Sequence, residues 1–372
     1  MKKIVGIIAA LAMATAVFAA DVSAKVVLNG NLFKYNADKS MSAMDIDKPG
    51  AQHWNGLFSL SANNDNAGAS FSVWTGEQFS MWHPGIQNGL IGWWNDGKVM
   101  LASRWQIWMR PVDGLKLIYG LNGFKLNEEH IRWSKSDSGA EDYGYSINYS
   151  NDGLSIDFAL LPGLGTSWMS KADGGDALIG KTAFKFGYSA DFGNIGALFV
   201  ADKSADKDGK VKSFNNLKFG AGYSNNFGGV QFFTNILGYM NNDFQKLRAE
   251  FYAAGNADAF GWSVFPVVEY YAAEGANPWK DDKGKNDGPV EVFLLAKGTY
   301  ALDGCQAYFE FADLQGLLHF GKDANDWDGG NRANFKFGAT GNVDGASWDA
   351  GVQLIIGEKV NFSIPVEFSF GW

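Results

Sequence analysis

The chain has 372 residues, of which 47 are glycine and only 8 are proline; aromatic residues make up 15% and charged residues 19%. The formal net charge of -9 argues against nucleic-acid binding, because that function needs a basic surface. The single cysteine, Cys305, excludes an intramolecular disulfide framework.

Residues 1–24 have the features of a secretory signal peptide. Two lysines near the start precede an apolar stretch over residues 4–17, and small residues follow it. Cleavage after either Ala19 or Ala24 satisfies the small-residue rule. An uncleaved anchor helix is the alternative, but the apolar stretch is short for a span of about 20 residues. We therefore expect residues 25–372 to form the mature chain, as a single domain.

Most of the mature chain alternates between apolar and polar residues, and this predicts β-strands with one apolar and one polar face. On both sides of the turn at 151–153, Tyr, Ile, Leu and Phe stand at every second position, with mainly Gly, Ser and Asn between them. A soluble β-sandwich also alternates, but we expect its strands to be shorter and its polar face to carry more Lys and Glu. The alternation therefore favours a β-barrel whose apolar face meets lipid.

Tight turns and longer connections alternate along the chain. Turns rich in Asn, Asp and Gly supply the positive φ angles that hairpins need, and they recur roughly 40 residues apart. Counting strands between connections predicts about 18 strands, within a range of about 16 to 20, because residues 90–94 and 130–135 could each form an extra strand. The turns are predicted at 63–68, 111–114, 151–153, 191–193, 225–229, 255–258, 303–304 and 342–345. The connections are predicted at 36–53, 77–97, 122–142, 162–180, 203–213, 241–245, 273–289, 314–331 and 357–359.

The last strand is predicted from Val360 to the final residue, Trp372, with an apolar residue at every second position. This stretch resembles the C-terminal assembly signal of Gram-negative outer-membrane β-barrel proteins, whose last strand ends in an aromatic residue, most often Phe. Trp372 fits as a less common ending, while Pro365 departs from the pattern because proline removes a hydrogen-bond donor from the ladder. The resemblance implies that the signal consists of Val366, Phe368, Phe370 and Trp372.

By its pattern, the whole mature chain resembles general diffusion porins. The resemblance implies an all-β fold, namely a transmembrane antiparallel up-and-down β-barrel of about 18 strands in the outer membrane. It also implies a water-filled channel for passive diffusion of small hydrophilic solutes, recognition of the last strand by the barrel-assembly machinery, and a homotrimer. Two alternatives stay open: a non-conducting barrel that acts as an adhesin or surface antigen, and a soluble, secreted sugar-binding β-protein.

Charged residues on the polar strand faces are the candidate pore-lining residues, because the polar face of a barrel strand points to the lumen. Chain order follows the barrel circumference, so the order of these charges predicts one mainly basic and one mainly acidic wall. Local pairing, for example of Arg248 with Glu250, is the alternative. The basic candidates are Arg104, Arg110, Lys116, Lys181, Lys185, Lys218, Lys246 and Arg248. The acidic candidates are Glu250, Glu269, Glu291, Glu310, Asp349 and Glu367, with Lys297 and Lys336 as basic exceptions among them.

Several tryptophans are predicted at strand ends, where barrels place aromatic girdles at the membrane–water interface. Stacking against carbohydrate and packing in a core are the alternatives. The tryptophans concerned are Trp74, Trp105, Trp108, Trp262, Trp348 and Trp372.

The sequence contains no catalytic, cofactor-binding or metal-binding motif that we recognise. The four histidines lie far apart, and the H-E-x-x-H, G-x-S-x-G and P-loop patterns do not occur. The acidic stretches 202–209 and 323–330 lack the bidentate Glu of a calcium loop. We therefore predict that the chain is not an enzyme and that it uses no cofactor or metal.

The assembly signal generates a first prediction. Phe370→Ser combined with Trp372→Ser is expected to leave export intact but to lower the amount of protein in the outer membrane. Because the change also removes apolar area, the matched control replaces Val360 and Phe362, on the same strand face, with serine. Immunoblots of outer-membrane and periplasmic fractions measure the effect, and normal outer-membrane levels of the terminal double variant would contradict the assembly signal.

Overall fold

The fold is an all-β barrel made of one continuous sheet. In the computed structural model of the chain, the structure describes residues 21–35, 41–45, 56–76, 100–127, 139–161, 181–205, 211–241, 243–272, 290–313, 333–356 and 360–371. These residues form strands β1 (Asp21–Tyr35), β2 (Met41–Asp45), β3 (Gly56–Asn63), β4 (Ala67–Gly76), β5 (Met100–Val112), β6 (Leu115–Lys125), β7 (Gly139–Asn151), β8 (Leu154–Leu161), β9 (Lys181–Ala190), β10 (Gly193–Ala205), β11 (Val211–Phe227), β12 (Val230–Asn241), β13 (Asp243–Ala257), β14 (Phe260–Tyr271), β15 (Val290–Leu302), β16 (Cys305–Asp313), β17 (Ala333–Val343), β18 (Ala346–Ile356) and β19 (Val360–Gly371). Among the described residues, no helix is long and apolar enough to cross a bilayer.

The barrel is closed by pairing between its first and last strands. Apart from this seam and the pairing of β1 with β3, neighbours in the sheet are consecutive along the chain, and the pairs are antiparallel. β1 pairs with β19 from Lys25 opposite Gly371 to Tyr35 opposite Phe362. Closure removes the two sheet edges, which would otherwise present rows of unpaired backbone donors and acceptors.

The nineteen strand segments of the described residues occupy eighteen positions around the barrel, because β2 and β3 share one. β2 pairs with the far part of β1, where Tyr35 lies opposite Met41, and β3 pairs with its first part, where Asp21 lies opposite Asn63. The all-β antiparallel barrel and the strand number predicted from the sequence are therefore confirmed. The prediction of a plain connection over 36–53 was wrong in part. β1 extends past β3, and β2 pairs with the backbone groups that this extension presents.

The two faces of the sheet differ in burial. Along β14, Phe260, Val264 and Val268 are exposed, while Phe265 and Val267 between them have no exposed surface. A sheet closed on itself has one face outside, so the exposed apolar face is the outer one and the polar strand faces turn inward. This arrangement differs from a soluble sandwich, which buries its apolar faces between two sheets.

The sequence of the hairpin turns explains their backbone conformation. Asp152 and Gly153 have φ angles of 47° and 81°, and Asp344 and Gly345 have φ angles of 44° and 83°. A two-residue type I′ turn needs positive φ at both central positions, and its twist matches that of the flanking strands. Asp tolerates this region and Gly adopts it without steric cost, so these turns form where the sequence predicts them.

Strands extend further than predicted at several connections. β6 runs to Lys125 and β7 begins at Gly139, inside a predicted long connection. β11 runs to Phe227 and β13 to Ala257, inside predicted turns. Cross-strand pairing continues through these residues because each added pair satisfies further backbone groups. The two predicted extra strands, at 90–94 and 130–135, lie outside the described residues.

Paired cysteines test the register of the closing seam. Val26 lies opposite Phe370 with both side chains on the outer face, so Val26→Cys with Phe370→Cys is expected to form a disulfide under mild oxidation. The matched control is Val26→Cys with Phe368→Cys, because Phe368 lies opposite Leu28, two residues out of register. Both pairs are made in a Cys305→Ser background, and a mobility shift on a non-reducing denaturing gel reports crosslinking. Crosslinking of the control pair alone, or of neither pair, would contradict this seam.

Candidate pore-lining site

A buried network of charges lies on the inner face of β13 and β14. Arg248 donates hydrogen bonds from Nε to Glu250 Oε1 at 2.8 Å and from Nη1 to Glu269 Oε1 at 2.6 Å. Lys246 Nζ lies 2.8 Å from the same oxygen of Glu269. The Tyr271 hydroxyl donates to the other Glu269 oxygen, Oε2. Glu269 therefore binds two cations and one hydroxyl, and it is the centre of this first network.

The register of the sheet builds the first network. Residues at every second position of a strand share a face, so the charged residues of β13 point inward together. Arg248 lies directly opposite Glu269 on β14, and Glu269 lies opposite Glu291 on β15. Arg248 is 6% exposed, and Glu250 and Glu291 have no exposed surface. Charges buried to this degree must be paired and hydrogen-bonded, because desolvation of an isolated ion costs several kcal/mol.

A segment that follows β6 crosses the interior of the barrel to the first network. In this crossing segment, residues 126–127, Asn127 Nδ2 donates to Asn235 Oδ1 at 2.9 Å. Asn235 Nδ2 donates in return to the Asn127 carbonyl at 3.1 Å and to Glu250 Oε2 at 2.9 Å. Asn235 is on β12 and has no exposed surface. Strands β7 to β11 separate β6 from β12 in the sheet, so the contact spans the interior and does not join neighbouring strands.

Glycines on the inner face make room for the crossing segment. A Cβ atom on Gly222 would lie 2.7 Å from Asn127 Nδ2 and 3.4 Å from Leu126 Cβ, and one on Gly196 would lie 3.2 Å from Leu126 Cδ2. Contacts below about 3 Å force a displacement, so a larger residue at Gly222 would displace the amide of Asn127 from its place beside Asn235. Leu126 also packs against a buried apolar cluster, which consists of Phe124, Ala159, Leu161, Ala183, Leu198 and Val200.

A second charged network lies on the inner face of β15 to β18. Lys297 Nζ is 3.0 Å from Glu310 Oε1, and Lys336 Nζ is 2.6 Å from Asp349 Oδ1. Tyr308 donates to the same Asp349 oxygen at 2.9 Å, and both lysines lie over its ring. Lys297, Glu310 and Lys336 form one cross-strand row, so opposite charges alternate across three strands.

An apolar row separates the two networks. Phe233 lies opposite Tyr252, and Phe265 lies opposite Leu295, in neighbouring pairs of strands. The rings of Phe233 and Tyr252 stack with centroids 4.9 Å apart, and the rings of Tyr252 and Phe265 are 6.5 Å apart. All four side chains are almost fully buried. This part of the inner wall is therefore covered by tightly packed side chains.

The predicted division into a basic and an acidic wall is wrong for β13 to β18. Lys246 and Arg248 contact Glu269, and Arg248 also contacts Glu250. On β9 and β10, too, Lys181 Nζ lies 3.9 Å from an acidic oxygen of the neighbouring strand. The alternative of local pairing therefore describes these residues. Its physical cause is the cost of burying a charge, which makes a partner in the next strand far more favourable than one across the lumen.

The register places most of the predicted pore-lining residues on the inner face. Arg110 is at the tight-turn end, where it is exposed and donates from Nη1 to the Asp65 carbonyl at 3.1 Å. Contact of these residues with solute stays a prediction. The residues whose register places them on the inner face are Arg104, Lys116, Lys181, Lys185, Lys218, Lys246, Arg248, Glu250, Glu269, Glu291, Glu310, Asp349 and Glu367.

The predicted assembly signal lies on the outer face of β19. Phe368 and Phe370 are exposed there, and Val366 has the same parity. Trp372 lies outside the described residues. That these residues are recognised during assembly stays a prediction.

Trp108 was predicted in an interface girdle, but the structure places it on the inner face, opposite Gly68. Its ring lies 4.6 Å from Lys116 Nζ and 5.1 Å from Arg110 Cζ, so two cations flank it. The alternation of β5 could have predicted this inward position. Inward residues of this strand stand at even positions, whereas the outward Trp105 stands at an odd one.

The inner face also offers hydroxyl groups to a polar solute. On β1, β3 and β4, Ser23 Oγ lies 2.7 Å from Ser61 Oγ, and Ser59 Oγ lies 2.9 Å from Ser72 Oγ. These side chains are small, so this wall, which we call the serine wall, projects little into the barrel. Within the part of the chain that the structure describes, no group of three or more His, Cys, Asp or Glu side chains could hold a metal ion.

Comparison with solved structures identifies relatives of the fold. OpdL of Pseudomonas aeruginosa is 7% identical, with a TM-score of 0.51 over 95% of this chain and 98% of that chain. A BenF-like porin from Pseudomonas fluorescens Pf-5 is 9% identical, with a TM-score of 0.51 over 95% of this chain and 99% of that chain. This chain has the porin fold. The outer membrane protein OpdK of Pseudomonas aeruginosa matches similarly, at 10% identity and a TM-score of 0.50 over 95% of this chain and 99% of that chain. No protein-family model matches the sequence, and no curated protein matches it.

Removal of the central cation of the first network is expected to destabilise the barrel. Arg248→Met leaves Glu250 and Glu269 buried with one cation fewer, and breaking a buried pair in this way costs about 3–5 kcal/mol. Lys185→Met is the control, because Lys185 is a partly exposed cation on the inner face of β9 and its loss should cost less than about 1 kcal/mol. Urea unfolding followed by tryptophan fluorescence measures both free energies. Equal losses would contradict a stabilising role of the network.

Proposed function

We propose that this protein is an outer-membrane porin through which small hydrophilic solutes diffuse passively. The observation that supports the proposal is a closed barrel of eighteen strand positions whose outer face is apolar and whose inner face carries charged and hydroxyl side chains. A bilayer accepts such a barrel because every backbone group is paired within the sheet and the apolar side chains meet lipid. Barrels of sixteen to eighteen strands are wide enough to enclose an aqueous channel.

The packing of the inner wall suggests where solute passes. β12 to β17 carry the two charged networks and the apolar row, whose side chains fill that side of the barrel at the height of the apolar row. The serine wall on β1, β3 and β4 carries short hydroxyl side chains instead. At this height solute therefore passes along the serine wall, and the predicted pore-lining charges face it from the rest of the circumference. Because many of these charges are paired locally, we expect the channel to have weak ion selectivity.

The crossing segment is the constriction in this proposal. Asn127 lies against Asn235 on β12, which strands β7 to β11 separate from β6, so the chain projects into the interior at this height. The hydrogen bonds of the two amides keep the segment in place, and the width of the remaining opening sets the largest solute that can pass. Fixed charges of the first network lie directly beside it, at Glu250.

Further parts of the proposal concern processing and assembly. Residues Asp21 to Ala24 pair with Leu60 to Asn63, so cleavage after Ala24 would leave backbone groups of β3 unpaired. We therefore favour cleavage after Ala19. Resemblance to porins supports periplasmic tight turns, recognition of the last strand by the barrel-assembly machinery, contact with outer-membrane lipid and a homotrimer.

Single-channel recording tests the proposal. Purified protein in a planar bilayer is expected to insert in discrete conductance steps. Asn127→Ala is expected to raise the step size because the crossing segment loses the side-chain hydrogen bond that Asn127 donates to Asn235. The matched control is Asn194→Ala, which removes an inward amide near a tight turn that donates to Ser224 Oγ.

The outcomes separate channel function from the role of the crossing segment. Protein that inserts without conducting would reject the channel and favour an adhesin or surface antigen. Conductance steps of unchanged size in Asn127→Ala would support the channel but would reject the crossing segment as its constriction.

A further inference from the structure

A cavity of about 370 Å³ opens on the inner face of β12 to β15, near the tight-turn end of the barrel. Two cross-strand rows form its wall. One row runs from Gln231 through Ala254 and Ser263 to Lys297, and the next, closer to the turns, runs from Asn256 through Gly261 to Thr299. The inward strand faces therefore form most of the cavity, and Asn226 and Gly229 of the hairpin between β11 and β12 also border it, as do Gly255 and Trp262.

The order of large and small residues in these rows gives the cavity its shape. Ala254, Gly261 and Ser263 are small and stand at the centre, while longer polar side chains stand on both sides. A Cβ atom on Gly261 would lie 2.5 Å from Thr299 Oγ1 and 2.8 Å from Asn256 Oδ1. A side chain at this position would therefore displace the polar groups of Thr299 and Asn256 from their places at the floor.

The polar lining is rich in groups that both donate and accept hydrogen bonds. The amides of Gln231 and Asn256 and the hydroxyls of Ser263 and Thr299 all border the cavity. Tyr252 borders it on the side of the apolar row, where its ring is stacked on the side chain of Phe233. The cavity therefore combines one apolar aromatic boundary with several neutral polar groups.

The charge of the lining is balanced. Lys297 contributes the positive charge that borders the cavity, but its Nζ lies 3.0 Å from Glu310 Oε1. An anionic ligand at Lys297 would have to compete with this buried carboxylate, and a cationic ligand would meet the ammonium group. A neutral ligand meets neither cost, and neutral hydroxyl groups match the amides and hydroxyls of the wall.

We propose that this cavity binds a small neutral polyhydroxylated solute of monosaccharide size. Its volume is within the range of about 300–1,000 Å³ that is usual for small-molecule sites. Ring hydroxyls of the solute pair with Gln231, Asn256, Ser263 and Thr299, and its C–H surface packs on the Tyr252 side of the cavity. The inference rests on the proposed channel, through which solute reaches the cavity. The cavity lies on the tight-turn side of the first network, on strands that are remote from the serine wall in the order of the sheet.

Calorimetric titration of the full-length protein in detergent micelles tests the proposal. D-glucose is the probe, and D-glucuronate, which carries a carboxylate on the same ring, is the comparison. We expect glucose to bind and glucuronate to bind more weakly. Gln231→Ala combined with Asn256→Ala is expected to weaken glucose binding by about tenfold, because two hydrogen bonds to the ring hydroxyls are lost.

The matched control is again Asn194→Ala. Asn194 is also an exposed, inward-facing asparagine near a tight turn, but it does not border the cavity. Its substitution should leave glucose binding unchanged. Heat-modifiable migration on a denaturing gel checks that each variant is folded before titration.

Three results would overturn the inference: folded protein that does not bind glucose, binding that the cavity double variant leaves unchanged, or tighter binding of glucuronate than of glucose. Conductance of the same preparation is measured in parallel. If the protein conducts but does not bind glucose, the proposed porin function is supported and the proposed cavity site is rejected. If the protein binds glucose but does not conduct, the cavity site is supported and the proposed channel is rejected.

Discussion

Backbone hydrogen bonding is the constraint on which the rest of this structure depends. A sheet whose outer face is apolar cannot rely on water to satisfy its edge groups, so it must close on itself. The seam between β1 and β19 provides this closure, and β2 extends the pairing of β1 where β3 stops. Once the sheet is closed, side-chain parity alone decides which residues meet the surroundings and which face inward.

The interior is governed by a second constraint, the cost of removing charges from water. Lys336 has no exposed surface and Arg248 is 6% exposed, yet each lies within 2.6 Å of a carboxylate oxygen. Cross-strand neighbours supply these partners because a sheet places residues of adjacent strands about 5 Å apart. A charge and its partner thus form a nearly neutral unit, and a wall built from such units can be dense and polar at the same time.

Parity and turn chemistry made much of this fold predictable. The alternation along β14 and β19 and the Asp-Gly turns at 152–153 and 344–345 are local signals, and each predicts its structure without knowledge of the rest of the chain. The inward set of charges follows from the same parity. Their pairing does not, because it depends on which residue of one strand lies opposite which residue of the next.

The contact between the crossing segment and β12 could not be predicted from the sequence. Asn127 and Asn235 are 108 residues apart, and neither stands in a pattern that distinguishes it from other polar residues. Their contact depends on the curvature of the closed sheet, on the space at Gly222 and on the buried carboxylate of Glu250. The cavity near the tight turns has the same origin, since Ala254, Gly261 and Ser263 become neighbours only through the register of three strands.

The seam also determines which strand pairing of the barrel must form last. Lys25 and Gly371 are nearly a full chain length apart, so the contact that completes the barrel is among the most distant in sequence and has a high loop-closure entropy to overcome. Hairpins such as β7 and β8 can pair early, whereas β1 cannot meet its partner until β19, the last strand of the chain, is available. Until then two strand edges stay open to foreign strands, and protection of those edges is as much a requirement of this sequence as the barrel itself.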